Sequence, residues 1–265
     1  MDRIESDTKK ISVTIIAQNE QSRIRKAIES CKGFADEIVV VDGGSTDATR
    51  EIAESLGCKV YLNPWPGYAE QRNFAATHAE HDWIFFIDTD EFVDSELNGS
   101  LLNWKKGAAS EADVYNMYRI GNFMGTWLSR GEYLTRLYNK RKSKIRVTPV
   151  HEGPETEGLK VGSLPGVLWH DGYRSIADHV NRFNRYTELE AEKAVSSNKN
   201  FSLLRLLTRP ILRFGQKYVL QGLFRKGLAG LTIAMLWAYY EYLCQIKLYE
   251  LIRVQKTGHV EQKAG

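Results

Sequence analysis

Residues 36–57 read DEIVVVDGGSTDATREIAESLG, and the change of pattern inside them sets the fold class. The run IVVVD is apolar and β-branched with no polar alternation, as a strand buried on both faces would be. It stops at Asp42, two glycines turn the chain, and Thr46 or Asp47 stands where a helix N-cap belongs. The helix then runs to Gly57, a residue suited to a helix C-terminus. Repeated, a strand–turn–helix unit of this kind gives a parallel sheet with right-handed crossovers.

The unit does repeat. ISVTIIA (11–17) is a second buried run, and the helical stretch 19–31 puts Ile24, Ala27, Ile28 and Cys31 on one face. CKVYLN (58–63) reads as another strand, and PWPGYAEQ (64–71) as a loop punctuated by Pro and Gly. QRNFAATHA (71–79) follows as a helix, then WIFFID (83–88) as a further strand. Ligands of such sheets bind beyond the carboxyl ends of the strands. Those ends carry Asn19 and Glu20, then Asp42, then Asp88 and Asp90. Residues 100–170 are mixed, with the strand-like pieces VYNMYRI, YLTRLYN, KIRVTPVHE and GVLWHD; from about 174 to 251 the pattern is helical.

Hydrophobic content of 43% and charged content of 26% are those of a globular chain, not a disordered one. Cys31, Cys58 and Cys244 form no CxxC or Cys/His cluster, which argues for thiols in a reducing compartment rather than a zinc site or disulfide framework. MDRIESDTKK lacks the apolar core of a secretory signal. The longest apolar run, 227–240, stops at Glu241, short of the roughly 18 to 20 residues a membrane span needs. A cytoplasmic protein is the expectation. The net charge of +3 is uneven: residues 193–240 hold eight Lys/Arg and no acid, so that segment carries +8 against −5 elsewhere.

In Asp88-Thr89-Asp90, two carboxylates one residue apart at a strand end can turn toward one divalent ion, and hard oxygen ligands suit Mg²⁺ or Mn²⁺. A solvated loop start is the alternative. The aspartyl-phosphatase motif DxDx[TV] is a poor match, because position 92 is Phe and the motif follows the wrong strand. Asp42 before two glycines suits a ribose- or base-binding acid, whereas AQNEQSR (17–23) stands where a dinucleotide fold needs GxGxxG.

TIIAQNE, VVVDGGSTDAT, GYAEQRNFA and FFIDTDEFV, in this order and spacing, resemble the nucleotide-sugar-binding half of a family 2 glycosyltransferase of GT-A fold. VHEG, WHDGYRS and NRFNRYTELEA more weakly resemble its bacterial lipopolysaccharide-core glucosyltransferase branch. The resemblance implies a Rossmann-like, mostly parallel α/β sheet flanked by helices. The catalytic domain would span 1–175, with 11–95 taking the nucleotide sugar and 96–175 the acceptor, followed by a helical, membrane-associating region over 176–265. Glu20 and Asp42 would hold the nucleoside with Asn19 near them, and Gln71, Arg72 and Asn73 would line the pocket, Arg72 toward the diphosphate. Asp88 would meet the ribose or a water, and Asp90 would ligate the metal, with His170 as a further ligand and His151 a weaker candidate. Transfer would invert the sugar's anomeric centre, with Glu152 as general base; Glu155, Glu157, Asp94 and Asp171 are its substitutes. The donor would be a nucleotide-diphosphate sugar, a UDP-sugar foremost. The acceptor would be a lipid-linked or lipopolysaccharide-core saccharide at the cytoplasmic face of the inner membrane.

In the tail, Arg205, Arg209, Arg213 and Lys217 recur at i+4 among leucines, with Pro210 expected to kink or split the helix. Such a stripe fits an anionic membrane surface contacted through 199–251. Packing on the core or in a homodimer is the alternative, and no nucleic-acid-binding module is present. The rival functions are a protein or peptide glycosyltransferase of the same fold, separable by acceptor assays, and a non-catalytic membrane scaffold, which would turn over no nucleotide sugar.

Overall fold

The computed structural model describes residues 8–108, 111–147, 152–172 and 175–261, with the backbone alone for 255–261. The chain forms two compact units, one of residues 1–121 with 131–171 and the other of 122–130 with 172–265.

The first unit is built on β1 (Ile11–Ala17), β2 (Glu37–Asp42), β3 (Lys59–Leu62) and β4 (Trp83–Asp88), all mutually parallel in the order β3-β2-β1-β4. Helices α1 (Ile24–Cys31), α2 (Thr49–Ser55) and α3 (Tyr68–His78) make the crossovers. Side chains alternate between the two faces of a strand. Ile11, Val13, Ile15 and Val40 join α1's Ile24, Ala27, Ile28 and Cys31 in one core. Ile16, Val39 and Val41 meet α3's Ala75 on the other face. Both faces are therefore covered, which is why Val39-Val40-Val41 shows no polar alternation.

Beyond β4 the sheet changes character. β5 (Glu91–Val93), β6 (Val114–Phe123), β8 (Glu132–Asn139) and β9 (Val161–His170) extend it in the order β4-β8-β6-β9-β5, with β8 antiparallel to both β4 and β6. The α/β architecture is as expected; the sheet is parallel in its nucleotide-side half and mixed overall. α4 (Ser95–Lys105) follows β5, and Asp94 caps it by accepting from the Leu97 N–H at 2.7 Å. The second carboxylate oxygen of Asp94 accepts from Val167 N–H, so this residue serves the fold and is unsuited to the base role.

The second unit contains β7 (Thr126–Trp127), which pairs with the end of β6, and helices α5 (Ile176–Ser196), α6 (Leu203–Gly215) and α7 (Gly227–Glu261). Of the kink or split expected at Pro210, the split does not occur: α6 runs through it. The winding widens only at 216–220, and the chain breaks at Gly222, whose φ of 74° a side chain would resist. The helical stretches on either side of that break meet at 71°.

Candidate active site

At the carboxyl ends of β1 and β2 the loops are laced together by their own polar groups. Asp42 is buried; its Oδ2 accepts from the N–H groups of Gly44 (3.1 Å) and Ser45 (2.9 Å), and the Ser45 hydroxyl donates to Oδ1. The turn is thus wound around the Asp42 carboxylate. Asn19, at a φ of 56°, donates its N–H to Ser45 Oγ at 2.9 Å and accepts from Thr46 N–H at 2.9 Å. The Glu20 N–H donates to Thr49 Oγ1 at 2.7 Å, and Asp47 accepts from Thr49 N–H at 3.0 Å, although the N-cap position of α2 falls to Ala48 rather than to Thr46 or Asp47.

The loop after β3 closes the same wall. Gln71 is fully buried, accepts from the Asn63 side chain at 2.7 Å and donates to the Asn63 carbonyl at 3.1 Å. Asn63 in turn donates its N–H to the Asp42 carbonyl. This holds Trp65 so close to Gly43 that a Cβ there would lie 2.8 Å from the indole. Gln71 therefore anchors the wall, and Trp65, with Tyr68 edge-on at 5.0 Å, supplies its aromatic surface. The sequence reading missed Trp65, although its place between two prolines fixes it.

Behind this wall lies a chain of alternating charges. Arg72 donates to Asp88 Oδ1 at 2.6 Å, and Arg136 contacts Asp88 Oδ2 at 3.3 Å. Both guanidiniums lie over the Phe86 ring, 5.0 and 4.7 Å from its centroid. Glu91 accepts from Arg136 at 2.5 Å and Arg119 at 3.1 Å, while its other oxygen accepts from Asp88 N–H at 3.1 Å. Arg119 continues to Glu132 at the surface. Burial would push the Asp88 carboxyl up, but Arg72 and Arg136 hold it well below the usual range. Burial likewise opposes the charge on Arg72, and Asp88, Glu91 and Glu152 outweigh it, raising its pKa. Glu91, unassigned from the sequence, is the hub of this network, and Arg119 and Arg136 were not foreseen.

Asp90 is placed differently. Its Oδ2 faces His170 Nε2 at 3.4 Å and Arg23 at 3.6 Å, beyond ordinary hydrogen-bond length. β5 pairs with β9 so that Glu91 sits opposite His170, which carries the imidazole to Asp90. Asp88, already engaged by two arginines, is a poor metal ligand. Asp90 with His170 fits a divalent ion that accepts a carboxylate and an imidazole. Glu37, Glu80 and His81 also converge, but at the amino ends of β2 and β4, and Lys59 pairs with both acids there, filling the place of a cation.

A model of glycosyl transferase family 2 matches residues 12–159, a span that contains all of these acids and stops short of His170. The chain belongs to that family. Over nearly its whole length this glycosyltransferase resembles the lipopolysaccharide core biosynthesis glycosyltransferase LpsC of Rhizobium meliloti, at 32% identity over 95% of this chain and 96% of the relative. It is 34% identical to an uncharacterized glycosyltransferase of Rickettsia typhi, over 92% of this chain and 88% of that one. Among solved structures, glucosyl-3-phosphoglycerate synthase of Mycobacterium tuberculosis aligns at 18% identity and a TM-score of 0.48, over 73% of this chain and 82% of that one.

Two further residues of the glycosyltransferase complete the description. Asn73 is a strut: its side chain donates to the Ile145 carbonyl and accepts from the Ile145 N–H, both at 2.9 Å. Ile145 bridges Pro154, and Arg146 N–H donates to the Gly153 carbonyl, so Asn73 fixes the segment bearing Glu152. Glu152 is near enough to Arg72 to help keep it charged. His151 lies outside the described residues.

Proposed function

We propose that this glycosyltransferase moves a sugar, with inversion, from a nucleotide-diphosphate donor, a UDP-sugar foremost, to a lipid-linked or lipopolysaccharide-core saccharide. The observation that carries the reading is the split within Asp88-Thr89-Asp90: Asp88 is clamped by Arg72 and Arg136, while the cationic groups nearest Asp90 stand off at 3.4 and 3.6 Å. The near full-length likeness to LpsC supports the acceptor class.

In this reading the nucleoside lies along the wall made by Asn19, Glu20, Asp42 and Trp65. Asp90 and His170 would hold Mg²⁺ or Mn²⁺, which when bound offsets the charge of the departing diphosphate. Arg23, 3.6 Å from Asp90, would meet a phosphate of the donor. Glu152 takes the proton of the acceptor hydroxyl as the acceptor oxygen bonds to the anomeric carbon and the bond to the diphosphate breaks. Arg72, held charged by Asp88, lies on the diphosphate side and is kept in place by the network behind it. The three free thiols support a reducing compartment, hence a reaction at the cytoplasmic face.

The test is Asp90→Ala in two assays. Wild type should show a melting-temperature rise with UDP-sugar that grows when Mn²⁺ is added. Asp90→Ala should keep its fold, lose the Mn²⁺-dependent part of that rise and lose transfer. An Asp90→Ala enzyme with full activity would refute the assignment.

A further inference from the structure

In the second unit, α6 carries its faces in the reverse of the usual order. Beyond Arg205 the basic stripe turns toward α7: Arg213 donates to Glu241 of α7 at 2.8 Å, the half-exposed Arg209 lies 3.7 Å from the same carboxylate, and Lys217 sits 4.5 Å over the Trp237 ring. Glu241 is buried beneath them. The apolar face points outward, and none of the α6 residues is buried. Leu204, Leu207 and Ile211, at i, i+3 and i+7, are 71%, 60% and 73% exposed, and Leu212 lies beside them at 69%. Leu220 and Leu228, on either side of the turn, are both 70% exposed. Large apolar side chains left to water together on one helix face mark an interaction surface.

Such a face needs a cover, and its charges say which. Arg205 and Arg225 are exposed on the same segment, Lys199 stands just before it, and no acid occurs between 193 and 240. A second copy docked symmetrically through this face would set cation against cation. Anionic headgroups supply the missing charge, and acyl chains take the leucines. Among the described residues, no helix is by itself long and apolar enough to cross a membrane.

We infer that the outer face of α6 and the turn through Leu228 seats the protein in the interfacial layer of an anionic bilayer. The leucines and Ile211 dip below the headgroups, and Arg205 and Arg225 lie at their level. Arg209, Arg213 and Lys217 are turned to α7 and bind α6 to it, which sets the apolar face outward. The inference does not depend on the donor or acceptor, and neither is present in its test.

The full chain is floated with vesicles of phosphatidylcholine alone and of phosphatidylcholine with about a third phosphatidylglycerol. Wild type should rise with the anionic vesicles and far less with the neutral ones. Leu207→Glu/Ile211→Glu should bind the anionic vesicles roughly tenfold more weakly or worse, with its circular dichroism unchanged because both positions are exposed. Arg205→Glu/Arg225→Glu should erase the preference for the anionic lipid. As a second probe that leaves the face apolar, Ile211→Trp should be quenched by acyl-chain bromine beyond the wild-type level. Wild type that stays below the anionic vesicles, or an unquenched Ile211→Trp, would overturn the inference. So would a dimer in light scattering that Leu207→Glu/Ile211→Glu dissociates, since a second copy would then be the cover.

Discussion

Glu91→Gln removes one charge from the centre of the buried network while keeping the side chain's shape. In the native protein its carboxylate answers two guanidiniums, Arg136 at 2.5 Å and Arg119 at 3.1 Å, with no side-chain surface exposed. After substitution Arg136 retains only Asp88 at 3.3 Å, and Arg119 retains only the surface residue Glu132. An uncompensated buried charge of this kind costs about 3–5 kcal/mol, because the guanidinium's desolvation is no longer offset. For a chain of this size that is a fall of roughly 6–20 °C in melting temperature. The control is Glu132→Gln, which breaks the other pair of the same Arg119 at a side chain 59% exposed and should cost no more than about 1 kcal/mol. Urea unfolding at pH 7, where Asp88 is ionised, would measure both. If the two variants differ by less than about 1 kcal/mol, Glu91 is not the hub of the network and the burial argument fails.

Two other outcomes follow from the same structure. Burial against Phe123 and Phe183 pushes His179 down from 6.5 to about 4. The unfolded histidine therefore takes up its proton first as the solution is acidified. His179's share of stability is full above pH 6.5 and drains away as the pH falls toward 4, and His179→Leu should flatten the melting temperature across that window relative to wild type. Glu152→Gln should bind UDP-sugar as wild type does while transfer falls by about 10² to 10⁴, the usual worth of a positioned base; unchanged turnover would move that role elsewhere.

The parallel half of the fold was legible because burial on both faces leaves unbroken apolar runs, and the acids that interrupt them mark the strand ends. Asp42, Asp88 and Asp90 were found that way. Arg119, Arg136 and Glu91 were not, because their partners lie in strands that pair antiparallel and far apart in sequence. A signal existed. In EYLTRLYN the period of two puts Leu134, Arg136 and Tyr138 on one face, and an arginine among core positions demands a buried acid. The orientation of α6 was misread for a related reason. Spacing reveals that a helix has a basic and an apolar face, but not which one meets water. That was decided by Glu241, 28 residues beyond Arg213 in the chain.

Asp90, and not Asp88, is the residue through which the site should respond to added charge. Arg72, Arg136 and Arg119 are matched one for one by Asp88, Glu91 and Glu132, so the network is electrically closed. Another cation brought to Asp88 would have to displace a guanidinium and leave it buried and unpaired. At Asp90 the opposing groups are Arg23, loosely paired, and His170, whose imidazole binds a metal when neutral. A divalent ion held there would meet a carboxylate that no cationic group approaches closer than 3.4 Å among the described residues. The network that lies over Phe86 ties Asp88 to Arg72 and Arg136 and leaves Asp90 outside it.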